Sequence, residues 1–299
     1  MVDNKIVTVL NRFLEKGVAL RNYSPPTVKS YRDSWRLFTQ ITKAEFLHDL
    51  SKELIENFMF HGRTQRNWST VTYHSRFKHY NCFLKWCVKE KYLTKNPADG
   101  IEKPRIIKQL PRKLSKEAAA QLLEMSQSMQ YYSLFEKFRN HAIIACMLMA
   151  GLRRKEIIQL TITDVDFVAK ELLVRQGKGN KDRVIPICER LHTILLGYIE
   201  YRESKGRQST QFFSGINDKR PFGEKGIQHL IAKLRKATGL DFSAHTLRHS
   251  FATLMLEGGC DIYTLSNLMG HSKISTTTIY LQCNNYHKKK AIEKHMLNL

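Results

Sequence analysis

Hydrophobic and polar residues alternate at helical spacing through the first hundred residues. The first such run has apolar residues three or four positions apart, the repeat that gives an α-helix one apolar face; it consists of Ile6, Val9, Leu10, Phe13 and Leu14. Three further runs each follow a serine that can cap a helix, namely Ser24, Ser51 and Ser69. The pattern predicts a small, purely helical N-terminal domain.

The pattern changes in the second half, where helical runs alternate with one β signal. Residues 171–176 and 182–187 are rich in branched apolar residues and flank the glycine-containing stretch 177–181, which predicts a β-hairpin. Helical patterns follow at about 189–204, 224–238, 246–257, 262–269 and 275–282. The fold class predicted for the chain is therefore mainly α, with an α+β second domain that contains a small sheet or hairpin.

A segment at 103–113 separates the two patterns. It contains Pro104, Pro111 and five basic residues and has little periodicity, so it is either an interdomain linker or an ordinary surface loop. The change from an all-helical to a mixed pattern beyond this segment favours the linker interpretation, and 299 residues are enough for two domains. The predicted domains are 1–102 and 114–299.

The charge of the chain indicates a polyanionic partner. Its 49 Lys and Arg residues against 27 Asp and Glu residues give a formal charge of +22, and each phosphate that such residues neutralise releases condensed counterions. Residues 1–106 hold 19 basic and 10 acidic residues, so both halves are basic. This distribution suits two domains that grip one DNA duplex, although a charged surface could also serve solubility alone.

The cysteines and the apolar runs bear on the compartment. Six cysteines include no CxxC pair, so buried reduced thiols are expected rather than disulfides or zinc ligands. Neither a cleavable signal nor an apolar run of membrane-spanning length is present. The expectation is a cytoplasmic, DNA-associated protein without a membrane partner.

Four stretches of the second half hold the candidate reactive residues: 150–157, 177–181, 245–249, and 270–271 followed by Tyr280. Each alone has an ordinary structural explanation. Together they suit transfer at a phosphodiester, where catalysis depends on positioning and on stabilising charge at nonbridging oxygens. The guanidinium groups of Arg153 and Arg248 can hold those oxygens with paired donors, and His245 shares a helix face with Arg248.

Proton transfer and nucleophilic attack need two further groups. Lys178, at the hairpin tip, is the candidate general acid for the leaving 5′ oxygen. Tyr280 is the candidate nucleophile, because a phosphotyrosyl ester preserves the bond energy and makes resealing possible without ATP. No cofactor or metal is expected: the P-loop motif is absent, and His245, His249 and His271 lack the pattern of a zinc site.

These residues resemble the tyrosine recombinase (phage integrase) family, most closely its Xer-type members, over nearly the whole chain. The stretches that carry the resemblance are 24–33, 96–98, 110–115, 151–153, 177–181, 245–253, 268–271 and 276–280. The resemblance implies a SAM-like core-binding N-terminal domain and site-specific recombination of double-stranded DNA. The strands would be exchanged through a 3′-phosphotyrosyl intermediate and a Holliday junction.

The resemblance also implies roles for individual residues and an assembly. His271 would assist at the scissile phosphate, and His245 would share proton handling with Tyr280. The protein would act as a homotetramer on DNA, or as a heterotetramer with a related recombinase. Residues 285–299 form a predicted tail helix that docks on a neighbouring subunit or on its own domain.

Supporting and DNA-contacting residues complete the prediction. Glu156 is either a buried partner that orients the site or part of a plain salt bridge, and His249 is expected to point away from the site as a packing or supporting residue. Lys155 beside Glu156 and Gln282 after the tyrosine depart from the usual family pattern. The expected DNA contacts are Lys29, Arg76, Lys181 and Arg183.

Two other functions stay open at this point. A type IB topoisomerase would use related tyrosine chemistry as a monomer, and a non-catalytic DNA-binding regulator would need none of it. The second alternative predicts that at least one of Arg153, Lys178, Arg248 or Tyr280 is missing, whereas all four are present. Whether a recombinase of this kind resolves chromosome dimers or moves a mobile element does not follow from the sequence.

Overall fold

The computed structural model describes residues 4–107, 111–175, 182–217, 220–271 and 273–282. The chain divides into two compact units, Met1–Lys108 and Gln109–Leu299. The division falls inside the segment 103–113, where the periodicity of the sequence breaks down.

Within its described residues, the first unit contains four α-helices joined by short connections, one of which includes the 3-10 turn Leu47–Asp49. The α-helices are α1 (Ile6–Arg21), α2 (Pro25–Thr42), α3 (Lys52–Thr64) and α4 (Thr70–Lys89). The predicted caps of α3 and α4 are confirmed, since the hydroxyls of Ser51 and Ser69 each accept a backbone N–H three residues later at 3.1 Å. Ser24 precedes α2 but makes no such bond; its hydroxyl lies 2.9 Å from that of Thr27.

Aromatic side chains fill the core of the first unit. The Trp35 indole on α2 meets the rings of Tyr80 and Phe83 on α4 edge to face, with centroids 5.2 and 4.7 Å apart. Edge-to-face pairs of buried rings contribute beyond the area that they bury. The hydroxyl of Tyr80 also donates to the Ser34 carbonyl at 3.0 Å, so this buried hydroxyl has a hydrogen-bond partner.

The second unit surrounds one buried helix. Its elements are α5 (Lys116–Ser128), α6 (Leu134–Met149), α7 (Arg154–Gln159), β1 (Val165–Asp166), β2 (Glu171–Val174), β3 (Arg183–Pro186), α8 (Glu189–Ser204), α9 (Glu224–Thr238), α10 (Ala244–Glu257), α11 (Ile262–Met269) and α12 (Ile279–Gln282). Helix α6 is buried continuously from Arg139 to Leu148 and packs against α5, α8 and α10. From Ala142 to Leu148 the helix is apolar on all sides, as expected of a helix at the centre of a domain, and its C-terminal end leads directly to Arg153.

The three strands form an antiparallel sheet in the order β1-β2-β3, with Leu172 opposite Ile185. The predicted fold class, mainly helical with a small sheet, is confirmed. The two-residue strand β1 was not predicted, because two residues are too few to show an alternating pattern. The predicted helix at 275–282 is shorter than expected: a 3-10 turn spans Ile274–Thr276, and α12 begins only at Ile279.

No helix within the described ranges has an apolar stretch long enough to cross a membrane.

Candidate active site

The position of Arg153 follows from the way in which α6 ends. After Ala150 the backbone turns at Gly151, whose φ of 62° lies in the left-handed region that favours glycine. A Cβ built at this position would also overlap the ring of Phe251 on α10. The turn directs the chain into α7, and Arg153 becomes the residue that precedes the first turn of that helix.

Glu156 holds this end of α7 together from a buried position. Its carboxylate accepts the backbone N–H of Arg153 at 2.7 Å and one guanidinium nitrogen of the same residue at 2.7 Å. Arg183, on β3, donates two further bonds to the two carboxylate oxygens at 2.9 Å each. Paired bonds of this kind between charged groups fix both distance and plane.

The charge state of Glu156 follows from these contacts. Burial alone would raise the pKa of its carboxyl, but the hydrogen bonds and charges of Arg183 and Arg153 outweigh it and lower the pKa to about 2. The carboxylate is therefore ionised at neutral pH. Of the two interpretations of Glu156, the contacts favour a buried residue that orients the site, because it fixes both the backbone and the side chain of Arg153.

Arg248 reaches the same place from α10. That helix is capped by Ser243, whose hydroxyl accepts the N–H of Thr246 at 3.1 Å. The Arg248 guanidinium donates to the carbonyls of Gly151 and Met269 and lies 4.0 Å from the Glu156 carboxylate. Burial, followed by the neighbouring charge of Arg153, lowers the pKa of Arg248 to about 9, so the group still carries its charge at neutral pH.

Arg153 and Arg248 therefore converge. Arg153 donates to the carbonyl of Gly270 at 3.3 Å, while Arg248 donates to that of the preceding residue, Met269. The two guanidinium groups thus share the C-terminal end of α11 as well as the Glu156 carboxylate. The two arginines therefore do not face opposite surfaces, which would have excluded a common phosphate site.

The cluster of Arg153, Arg183, Arg248 and Glu156, called the arginine cluster below, carries three positive charges and one negative. The side chain of Arg153 is 23% exposed, compared with 9% for Arg183 and 5% for Arg248. The surplus positive charge is partly buried, and because the effective dielectric constant there is lower than in water, its Coulombic attraction for an anion is stronger. Arg153 is the member of the cluster best placed to present this charge to a ligand.

Arg183 has partners within the second unit that the sequence did not predict. The sequence predicted that it contacts the DNA backbone, but its guanidinium pairs with Glu156, and its Nε donates to the Leu268 carbonyl at 2.8 Å. A side chain committed in this way stabilises the site from within. The sequence contained a signal for this position. Arg183 lies two and four residues before Ile185 and Ile187, and residues two apart on a strand point to the same face, so Arg183 lies on the inward face of β3.

His271 lies directly after the carbonyl that Arg153 contacts. Gly270 ends α11 in the left-handed region with φ of 60°, and the chain then turns so that the His271 N–H bonds to the Ser266 carbonyl at 3.0 Å. The imidazole Nδ1 lies 2.7 Å from the Thr277 hydroxyl. That bond orients the half-buried ring of His271; the sequence had not singled out Thr277.

Tyr280 is buried on α12, with 2% of its surface exposed, and packs with Phe251 and Met269. Its hydroxyl lies 2.7 Å from Nδ1 of His249 on α10. This corrects the expectation that His249 points away from the site. The four-residue spacing from His245 places both histidine rings on one helix face, with their centroids 6.2 Å apart.

The remaining predicted residues divide into two groups. Lys178 and Lys181 lie outside the described residues, as does the tail 285–299. Lys29 and Arg76 belong to the first unit: Lys29 is exposed along the groove between α1 and α2, and Arg76 lines a cleft of about 380 Å³ between α2 and α4. The guanidinium of Arg76 also stacks on the Trp68 ring at 4.8 Å.

A cluster of three or more His, Cys, Asp or Glu side chains that could hold a metal is not found among the described residues. What the geometry does offer is two converging guanidinium groups, a histidine beside them, and a tyrosine hydroxyl bonded to a second histidine. These are donors for an anion and a nucleophile, the groups that phosphoryl transfer requires.

Comparison with known proteins gives a consistent result. The sequence model of the phage integrase family matches residues 112–287. Tyrosine recombinase XerD of Halalkalibacterium halodurans is 30% identical over 279 residues, which is 91% of each chain. Tyrosine recombinase XerA of Pyrococcus horikoshii is 37% identical over 202 residues, 67% of each chain.

Two solved structures extend the comparison to the fold. The crystal structure of XerA recombinase is 26% identical with a TM-score of 0.54, and the match covers 97% of this chain and 98% of that one. XerH recombinase bound to a palindromic difH substrate is 20% identical with a TM-score of 0.76, covering 95% and 83%. The fold of this chain is similar to both.

Proposed function

The chain belongs to the phage integrase family as an Xer-like, site-specific tyrosine recombinase, and on this premise we propose that Tyr280 is the residue that becomes covalently joined to DNA. The substrate is a double-stranded recombination site. Tyr280 attacks the scissile phosphorus, the 5′ oxygen leaves, and a 3′-phosphotyrosyl ester joins protein and DNA until the partner strand's 5′ hydroxyl reverses the step.

The shared anchoring of Arg153 and Arg248 supports this proposal more than any other observation. Both guanidinium groups bond to consecutive carbonyls, at Gly270 and Met269, immediately before His271. Fixed donors need no reorganisation when charge develops on the nonbridging oxygens, which is the main source of catalysis in such transfers. We assign Arg153 and Arg248 to the phosphate, with His271 and His245 beside it.

Lys178 is proposed as the acid that protonates the leaving 5′ oxygen. The support for this role comes from the sequence, since Lys178 lies outside the described residues. A lysine at this step predicts a chemical signature: a 5′-thio leaving group departs without a proton. Lys178→Ala should therefore slow cleavage of ordinary DNA by at least about a hundredfold and leave cleavage of the 5′-thio substrate nearly unchanged.

The basic first unit is proposed to bind the outer part of the same DNA site as a core-binding domain, with Lys29 and Arg76 among its contacts. Lys181 would contact DNA beside the catalytic centre. We propose that the active assembly is a homotetramer, or a heterotetramer with a related recombinase, that exchanges strands through a Holliday junction. We propose that it works in the cytoplasm, in association with DNA.

The test of the nucleophile is a covalent trap. Wild-type protein is incubated with duplex DNA nicked near the cleavage point, so that the short product strand diffuses away and the adduct cannot be resealed. We expect an adduct that survives denaturation with wild type and none with Tyr280→Phe, which removes one oxygen and keeps the ring. An adduct of equal yield in Tyr280→Phe would refute the assignment.

A further inference from the structure

The hydroxyl of Tyr280 has a specific partner, and the proposed function leaves that partner without a task. His249 is half-buried, and its Nδ1 lies 2.7 Å from the phenolic oxygen, at ordinary hydrogen-bond distance. The two rings are tilted by 54° with centroids 5.5 Å apart, so the contact is between the polar atoms and not a ring stack.

We propose that His249 accepts the proton of Tyr280 as its oxygen attacks phosphorus, and returns it when the strand is rejoined. The proposal rests on Tyr280 being the nucleophile. His249 touches the reacting oxygen itself, so it is proposed as a catalytic residue and not as a residue that acts through another.

A bond forms between the Tyr280 oxygen and phosphorus, and the bond from phosphorus to the 5′ oxygen breaks. The phenolic proton passes to Nδ1 of His249, while the leaving oxygen takes a proton from the general acid proposed above. Rejoining reverses each transfer, and the protonated His249 then acts as the acid that releases the tyrosine.

The surroundings of His249 keep it ready to accept a proton. Burial, and after it the neighbouring His245 and Arg248 on α10, lower the pKa of His249 below its ordinary value. The ring is therefore neutral at neutral pH, with one nitrogen free to accept. If Nδ1 is that nitrogen, the phenol is the donor in the 2.7 Å bond, as the transfer requires.

His245 provides a matched comparison on the same helix face. It is exposed at the N-terminal end of α10, and its ring lies 6.2 Å from that of His249. His245 lies three residues before Arg248 and His249 one residue after it, so each replacement removes one imidazole from the same helix, but only His249 is bonded to the Tyr280 hydroxyl. Only the residue that takes the phenolic proton should become dispensable when the phenol is made more acidic.

The experiment uses that difference. Single-turnover cleavage of nicked DNA is measured for wild type, His249→Asn and His245→Asn, each with tyrosine or with 3,5-difluorotyrosine at position 280. Asparagine can accept a hydrogen bond from the phenol but cannot take its proton. Two ring fluorines make the phenol far more acidic than that of tyrosine, so attack by the difluorinated residue depends much less on a base.

We expect His249→Asn to slow cleavage by about a hundredfold, and difluorotyrosine to restore at least about tenfold of that loss. His245→Asn should not be rescued. A rate for His249→Asn within about threefold of wild type, a loss without rescue, or a rescue confined to His245→Asn would each overturn the proposal. Circular dichroism establishes that the variants fold, and His249→Gln replaces His249→Asn should the latter be unstable.

These outcomes are separate from the fate of the proposed function. An adduct in Tyr280→Phe would remove the nucleophile assignment and the base with it. Loss of the adduct in Tyr280→Phe together with wild-type cleavage by His249→Asn would leave the nucleophile in place and refute only the role of His249.

Discussion

Replacing Glu156 by glutamine tests the arginine cluster most directly. Glutamine keeps the size of the side chain but removes its charge, and its amide group meets guanidinium N–H donors with N–H donors of its own. The contribution of the charge follows from its pKa: lowering it from 4.5 to about 2 corresponds to about 3 kcal/mol, at about 1.4 kcal/mol for each pH unit. We expect Glu156→Gln to lose about 3 to 5 kcal/mol at pH 7.

The sign of the pH dependence is fixed by the same shift. A carboxyl with a lowered pKa in the folded state stabilises the protein above its unfolded-state value of 4.5, and this contribution is lost as the pH falls toward 2. Wild type should therefore lose stability between pH 4.5 and the lowest pH at which it stays folded. Glu156→Gln should lack this part of the decline.

The chain supplies its own reporter for the measurement. All three tryptophans, Trp35, Trp68 and Trp86, belong to the first unit, so tryptophan fluorescence follows that unit while far-UV circular dichroism follows both. In urea at pH 7, Glu156→Gln should lower the midpoint of the second unit by about 1 to 2 M. The urea midpoint of the tryptophan fluorescence transition, which reports the first unit, should not change.

A matched control separates the cluster from charge removal in general. Glu224 pairs with Arg154 at the surface of the same unit and has 54% of its side chain exposed. Exposed pairs contribute little, so Glu224→Gln should cost less than about 1 kcal/mol. Two results would refute the argument that Glu156 holds the cluster together. One is an equal urea midpoint of the second unit in the two variants; the other is a loss of stability below pH 4.5 in Glu156→Gln as large as in wild type.

Two further predictions follow from the same contacts. Gly151→Ala should cost at least about 2 kcal/mol of stability and slow adduct formation, because the alanine methyl group would overlap the Phe251 ring and alanine disfavours the left-handed backbone that places the Gly151 carbonyl at Arg248. Unchanged urea midpoints would contradict this. Arg183→Ala should lower stability but keep the slope of log DNA affinity against log salt, whereas exposed Lys29→Ala should reduce that slope by about 1. A reduced slope in Arg183→Ala would restore its role as a DNA contact.

The helices were predictable because their signals are local. Apolar spacing and the serines at 51 and 69 determine where α3 and α4 begin, and the structure has the predicted caps. The strand β1 was not predictable, since its two residues gain their conformation from pairing with Leu172 and Glu171 and not from any pattern of their own. Elements specified by their neighbours leave little trace in sequence.

The candidate site divides in the same way. The residue types of Arg153, Arg248 and Tyr280 were enough to suggest the chemistry, but the partner of each side chain depends on which elements meet. Successive residues on a helix point about 100° apart, so His249 diverges from Arg248 whatever lies around it. Its contact with Tyr280 arises only because α12 packs against α10 on that side, and Arg183 is buried only because the end of α11 covers it.

The choice of hydrogen-bond acceptors explains how the arginine cluster can be both ordered and attractive to an anion. Carboxylates could satisfy every guanidinium N–H, but each would also cancel a charge, and a neutral cluster would hold no phosphate. Here a single carboxylate, Glu156, is supplemented by neutral backbone carbonyls at Gly151, Met269 and Gly270. These carbonyls orient Arg153 and Arg248 without neutralising them. The surplus charge that remains costs folding energy in the free protein and becomes useful only when a phosphate enters, so the site gives up stability for binding.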